Sequence, residues 1–246
     1  MAEYIGVGGG RRVVVTGGNR GIGAAIADRL LKEGYRVVSL ARHAADPRPG
    51  LESVTADLAD PAATAAAAEA IMAAGPVYGI VHNAGVIRPA PVEEAAPRDL
   101  EDLTRLHLVA ALLLVKAALA GMKEAGEGRV VLMSSRGALG LAGRTAYAAT
   151  KGGMIAMGRS WALELAPFGI TVNTVAPGPI ETDMFHEIVT TPEAAARLVR
   201  QIPRGRIGSP ADVAAAVAFF LAPENDFITG QTLYVCGGTS IGQLQL

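Results

Sequence analysis

Tyr147 and Lys151 stand four residues apart in the stretch Tyr147-Ala148-Ala149-Thr150-Lys151. The run from Ala146 to Pro167 is rich in Ala, Leu, Met and Gly and reads as a helix. That spacing puts the phenol and the ammonium on one helix face, one turn apart. A free tyrosine has a pKa near ~10 and is a poor base at neutral pH. A cation within ~4–6 Å favours the tyrosinate, which would make the pair a proton donor and acceptor working near neutrality. Tyr and Lys fall at this spacing in many helices by chance. The pair acquires chemical meaning only beside a cofactor site, a third polar group and a pocket, which the rest of the chain must supply.

The elements able to do so begin near the N-terminus. Arg12-Val13-Val14-Val15-Thr16 is a β-branched run suited to a buried parallel strand. It leads into Thr16-Gly17-Gly18-Asn19-Arg20-Gly21-Ile22-Gly23, then a helix over Ala24–Glu33 stopped by Gly34, then a second strand over Arg36–Leu40. A strand, a glycine-rich turn and a helix together form a pyrophosphate site. The helix N-terminus offers free N–H groups and a positive dipole end, and glycine lets the backbone come close to the phosphates. A ligand-free glycine turn is the plainer alternative, and the flanking strand and helix argue against it.

The alternation continues. Further strands are expected at Leu51–Ala56, Val77–His82, Arg129–Met133, Ile170–Val175 and Thr232–Val235. Helices are expected at Pro61–Ala74, Asp99–Lys123, Ala146–Ala166, within Thr182–Gln201, and at Pro210–Leu221. This predicts an α/β, Rossmann-like doubly wound parallel sheet of about seven strands with helices on both faces. One domain covers 1–246, with 1–10 as a flexible tail. Ligands of such a sheet bind beyond the carboxyl ends of its strands, where the chain places Gly17–Gly23, Asp57, Asn83–Gly85, Ser134-Ser135 and Pro177-Gly178.

Composition narrows the function classes. Half of the 246 residues are hydrophobic, the net charge is −1 and the pI is about 6.4. No basic field points to nucleic acid and no polybasic patch to a membrane. Cys236 is the one cysteine, which rules out an intrachain disulfide and fits a reducing compartment. Met1–Gly10 lacks a charged region followed by an apolar core. The apolar run Leu108–Val115, interrupted by Lys116, is far short of the ~20 residues of a membrane span. A cytoplasmic protein is expected, with no metal site.

Taken in order, the motifs are Thr16-Gly17 to Gly21-Ile22-Gly23, Asp57-Leu58, Asn83-Ala84-Gly85, a serine before the Tyr147 helix, Tyr147-x-x-x-Lys151, and Pro177-Gly178-Pro179-Ile180-Glu181-Thr182. From about Arg11 to Gly238 the chain resembles the short-chain dehydrogenase/reductase family, with the bacterial 3-oxoacyl-[acyl-carrier-protein] reductase-like group as the nearest type. The resemblance implies roles. Tyr147 would be the general acid in carbonyl reduction, and Lys151 would lower its pKa and bond the nicotinamide ribose. A serine would hold the substrate oxygen. Gly17, Asn19, Arg20, Gly21, Ile22 and Gly23 would line the pyrophosphate turn, and Asp57 and Leu58 would lie by the adenine. Asn83, Ala84 and Gly85 would lie under the adenosine side, and Pro177, Gly178, Ile180 and Thr182 by the nicotinamide. Ser135 and Ser134 stand twelve and thirteen positions before Tyr147. Counting from the strand Gly128-Arg129-Val130-Val131 assigns the catalytic position to Ser135 and leaves Ser134 to bond backbone. Two departures stand out. Cys236-Gly237-Gly238 replaces a common Asp-Gly-Gly, and Cys236 reads as a small buried filler. His107 stands where the family commonly has Asn, which there holds a water linking the lysine to solvent. A neutral histidine also carries one donor and one acceptor. His107 is therefore either a fourth catalytic member or a packed structural residue.

These readings imply NADPH-dependent reduction of a ketone, with 3-oxoacyl thioesters among the candidates, to a secondary alcohol. An NAD-dependent alcohol or dihydrodiol dehydrogenase is the alternative, and a non-catalytic dinucleotide-sensing protein is a third reading from another class. An NAD site places an acidic residue about ~20 positions after the turn, whereas an arginine accommodates the 2′-phosphate of NADP. No Asp or Glu occurs from Val37 to Ala45; Ala41 stands at the acidic place, Arg42 follows, and Arg20 lies in the turn. NADP(H) is the cofactor expected. Met184-Phe185-His186-Glu187-Ile188-Val189 suggests a lid over an apolar small-molecule substrate. Leu103, Leu106, Val109, Ala110, Leu112, Leu113 and Leu114 on one helix suggest a homo-oligomer, a tetramer by family likeness.

Overall fold

A computed structural model describes residues 6–242 of the chain. Seven strands form one parallel sheet: β1 (Arg12–Thr16), β2 (Arg36–Ala41), β3 (Leu51–Thr55), β4 (Gly79–His82), β5 (Gly128–Met133), β6 (Ile170–Pro177) and β7 (Thr232–Val235). Their order is β3-β2-β1-β4-β5-β6-β7, so the winding reverses between β1 and β4, where the ligand crevice of such sheets opens.

Side chains alternate across each strand, and both faces are covered, which accounts for the unbroken Val/Ile runs. On one face Val14, Leu40, Ile80, Leu132 and Val172 pack with residues of α2 (Pro61–Ala73), α4 (Ala110–Ala125) and α5 (Thr145–Leu165). On the other, Val13, Val15, Val81, Val131 and Val175 pack with α1 (Gly21–Lys32) and α8 (Pro210–Leu221). Between Thr182 and Gln201 the chain forms two short helices, α6 (Asp183–Ile188) and α7 (Pro192–Arg200).

Three local expectations change. The first concerns the expected tail, of which Met1–Ile5 lie outside the described residues. Gly6–Gly10 are held: Gly8 N–H donates to Glu33 O and Gly10 N–H to Gly34 O, both at 2.8 Å. Backbone bonds to the end of α1, with no side chain involved, tie down a segment that composition alone marks as loose.

Second, the helix expected over Asp99–Lys123 is broken into α3 (Pro97–Thr104), one π-turn (Arg105–Val109) and α4. Ala110 N–H reaches back five residues to Arg105 O. No Gly or Pro marks the turn; the polar contacts of its side chains and carbonyls, described below, stabilise it. The run Pro97–Ala125 is long and apolar enough to cross a membrane by length and composition. Here Leu103, Leu114, Val115 and Met122 are buried in the core.

Third, that burial changes the surface from which an oligomer was expected. Leu103, Ala110 and Leu114 serve the core of the same chain, while Leu112 remains 40% exposed and Leu163, on α5, 82% exposed.

Candidate active site

The start of α5 and the end of β5 bring the proton-transfer groups together. Lys151 is buried, and its Nζ donates to Met133 O at 2.6 Å. Ser134 is turned inward: its hydroxyl donates to Lys151 O at 2.8 Å. Ser135 has extended backbone and faces the other way; its Oγ accepts Gly137 N–H at 3.0 Å on the side of the Tyr147 ring. Gly137 leaves room for this: a Cβ there would lie 3.3 Å from Ser135 Oγ and 3.5 Å from the Tyr147 ring.

The electrostatics differ from the simple pair. Burial pushes the Tyr147 pKa up, and Ser135 and then Arg144 pull it back only in part. Burial also brings Lys151 down to about 7, with no ion pair to it among the described residues. Its Nζ lies 5.7 Å from the Tyr147 ring centroid and bonds to a carbonyl. Burial is the largest influence on the phenol in this geometry.

His107 sits on the π-turn, fully buried. Its Nε2 accepts Val86 N–H at 3.3 Å and its Nδ1 lies 2.9 Å from Thr150 Oγ1. The ring meets Tyr147 edge-on, with centroids 5.9 Å apart. Burial first, then Lys151, holds the imidazole neutral, well below the usual histidine range. Both ring nitrogens thus have protein partners.

The cofactor-side residues form a second group. Helix α1 begins at Gly21, earlier than its sequence pattern suggests, so Gly21 and Gly23 belong to its first turn. That N-terminus carries no side-chain cap and no acidic residue, which leaves its N–H groups and dipole for an anion. Gly17 has φ of +64°, and a Cβ on Gly23 would fall 1.9 Å from Gly17 O. Only glycine fits both places. Asn19 is half-buried in the same turn, as is Ile22 in the first helical turn. Asn83 ties β4 to β1: its N–H and that of Ala84 donate to Thr16 Oγ1 at 2.9 and 2.8 Å, and its Nδ2 donates to Thr16 O at 3.0 Å.

Gly85 then passes the catalytic group so closely that a Cβ would meet His107 Nε2 at 2.9 Å and Lys151 Nζ at 3.5 Å. Beyond β6, Pro177 and Gly178 lead to Ile180, which is buried, and Thr182, which caps α6 by accepting Phe185 N–H at 3.3 Å. Thr182 also approaches Gly21, since a Cβ there would lie 3.7 Å from its methyl. Asp57 is exposed past β3 and accepts Ala59 N–H at 3.0 Å, while Leu58 is buried. Arg20 and Arg42 are exposed past β1 and β2, with no ion-pair partner among the described residues. No group of three or more potential metal ligands occurs among the described residues.

The uncapped helix, the glycine cradle and the Tyr–Lys–Ser group together fit a nicotinamide dinucleotide. A family model described as enoyl-(acyl carrier protein) reductase matches residues 17–240. The 3-oxoacyl-[acyl-carrier-protein] reductase FabG of Vibrio cholerae is 37% identical over 238 residues, covering 93% of this chain and 97% of that protein. This chain belongs to the short-chain dehydrogenase/reductase family. It is an oxidoreductase of that family. The acetoacetyl-CoA reductase of Synechocystis is 38% identical over 228 residues, covering 92% of this chain and 94% of that protein. Among solved structures, gluconate 5-dehydrogenase from Burkholderia cenocepacia in complex with NADP and tartrate matches with a TM-score of 0.90 and 30% identity, over 95% of this chain and 96% of that one.

Sequence reasoning missed His82, Thr150 and Arg144, and gave Thr16 no role beyond opening the glycine turn. His82 stands at the carboxyl end of a strand, directly before Asn83, and that position was the available signal. Thr150 lies inside the Tyr–Lys interval and reads there as a spacer.

Proposed function

We propose that this reductase converts a ketone to a secondary alcohol with NADPH. The observation that carries the reading is the closeness of Ser135 and Tyr147, which both lie against Gly137, beside a buried Lys151 at the end of β5. Two hydroxyl groups aimed at one place can hold and protonate a single oxygen. Bound across the α1 cradle, NADPH would supply the hydride. Ser135 fixes the carbonyl oxygen by hydrogen bonding, and Tyr147 gives it a proton. Lys151, held near neutrality by burial, gains and loses a proton close to pH 7. His107 acts through Thr150: its ring fixes the turn of α5 between Tyr147 and Lys151.

The curated relatives named above are carbonyl reductases, which favours this chemistry over the enoyl reduction named by the family model. Exposed Leu139 and Leu141, between Ser135 and Tyr147, and the lid residues Met184, Phe185 and Ile188 favour an apolar substrate, a 3-oxoacyl thioester among them. A cytoplasmic location belongs to the same reading. The deciding experiment mixes the protein with NADPH or NADH and acetoacetyl-CoA, aryl and cyclic ketones, or crotonyl-CoA, and follows nicotinamide absorbance. NADPH consumption with a ketone is the expected result. Consumption with crotonyl-CoA alone, or with nothing, defeats the reading.

Two further outcomes follow from it. His107→Leu should lower kcat about tenfold, because it leaves Val86 N–H and Thr150 without their buried partner. His107→Asn should keep most activity, with NADPH affinity nearly unchanged in both. Full activity in the Leu variant removes His107 from the site. The protein should also sediment as a homo-oligomer, a tetramer, at micromolar concentration, with exposed Leu112 and Leu163 in the contact. A monomer there counts against it.

A further inference from the structure

We propose that His82 is a positioning residue that links the pyrophosphate turn to the catalytic helix through the π-turn. The inference rests on the NADPH-dependent reading above.

The link is a path of buried hydrogen bonds whose donor directions agree throughout. Thr16 Oγ1 already accepts two backbone N–H groups, from Asn83 and Ala84. Its own proton is left for His82 Nδ1, 3.3 Å away. That makes Nδ1 the acceptor and Nε2 the N–H of a neutral ring. His82 Nε2 then donates to Leu106 O at 3.1 Å. Leu106 lies in the π-turn, where helical bonding slips to five residues, and such turns leave a carbonyl in need of a partner. His82 supplies it.

The next residue is His107. Val86 N–H fixes Nε2 as acceptor there, so Nδ1–H donates to Thr150 Oγ1 at 2.9 Å. The threonine hydroxyl donates to Ala146 O or Tyr147 O, each at 3.1 Å. Thr16, His82, His107 and Thr150 are each no more than 1% exposed. Burial and the Lys151 charge hold His82 down at about 3, so the tautomers that build the path persist through neutral pH. One end is the first residue of the pyrophosphate turn. The other is the backbone of Tyr147. Displacement of the turn by a bound phosphate is therefore transmitted to the aim of the phenol. Two isolated core histidines, each merely satisfied, would leave these two ends independent.

Two substitutions separate the ends. His82→Asn keeps a side-chain oxygen near the Nδ1 position, facing Thr16, and is too short to donate to Leu106 O. His82→Gln keeps an N–H near the Nε2 position and loses the acceptor beside Thr16. NADPH dissociation constants are measured by fluorescence titration, and kcat with a ketone that the unmodified protein reduces. The Asn variant should bind NADPH within about twofold of the unmodified protein and lose about tenfold in kcat, and the Gln variant should show the reverse. Equal losses in both quantities for both variants, or no loss in either, overturns the proposal. If neither variant folds by thermal melting, Thr150→Val tests the far end: kcat falls about tenfold with NADPH binding within twofold, and an unaltered kcat overturns the link. Failure of the functional reading shows separately, as an unmodified protein that reduces no ketone; the titration then still reads the Thr16 end.

Discussion

Tyr147→Phe is expected to leave NADPH binding intact and to cut ketone reduction by about a hundredfold to ten-thousandfold, the span general acid catalysis usually supplies. The ring stays, so its edge contact with His107 and its packing beside Gly137 survive. The lost atom is the phenol oxygen, whose pKa Ser135 pulls down. Phe is slightly smaller and leaves no charge, so the fold is not at risk. Ser135 remains able to hold the carbonyl oxygen, since its O–H stays free to donate while its Oγ accepts Gly137 N–H, but an aliphatic alcohol is far less acidic than a phenol and is a poor proton source. The measurement is single-turnover NADPH oxidation with the best ketone of the panel, beside an NADPH titration. Turnover within tenfold of the unmodified protein contradicts the assignment, and a parallel loss of NADPH binding shows that the ring itself shapes the cofactor site.

The layout around Tyr147 was legible from the chain because it depends on local rules. The β-branched run Arg12–Thr16, the glycines after it and the repeated strand–helix alternation each report a short-range preference, and the parallel α/β class follows from them. The Tyr147–Lys151 spacing was equally plain, since helical periodicity alone puts both on one face. The π-turn was not legible. Arg105–Val109 is ordinary helix-forming sequence, and what stabilises the turn is remote in sequence: His82 bonding Leu106 O and Thr150 bonding His107. The sign of the tyrosine shift was hidden for a similar reason. Spacing predicts proximity of a cation, but the balance between desolvation and attraction depends on burial, and here burial dominates for both Tyr147 and Lys151. The choice of Ser135 required counting from the strand, because the two serines differ by one position and point to opposite sides of it.

Arg42→Asp is expected to reverse the cofactor preference, changing the ratio of kcat/KM for NADPH over NADH by about a hundredfold or more. The ends of β1 and β2 are neighbours in the sheet, with Thr16 paired to Leu40. Arg20 and Arg42 each follow one of those ends and are exposed. Neither has an acidic partner among the described residues, so under the proposed reading a 2′-phosphate would meet two guanidinium groups that need give up no existing ion pair. Hydrogen bonds to charged groups contribute roughly 1.5–3 kcal/mol each, and ~1.4 kcal/mol is tenfold. Exposure to solvent sets each arginine at the lower end of that range. Replacing Arg42 with Asp then acts twice. It removes one attraction for the phosphate and adds a carboxylate that repels it, while the same carboxylate accepts a hydrogen bond from the ribose hydroxyl of NADH. Steady-state rates with both cofactors measure the ratio. Because the attraction is between exposed charges, the preference of the unmodified protein for NADPH should also shrink as salt rises toward molar concentration, where the screening length falls to ~3 Å. NADH used as well as NADPH by the unmodified protein at low salt sinks the assignment of both arginines.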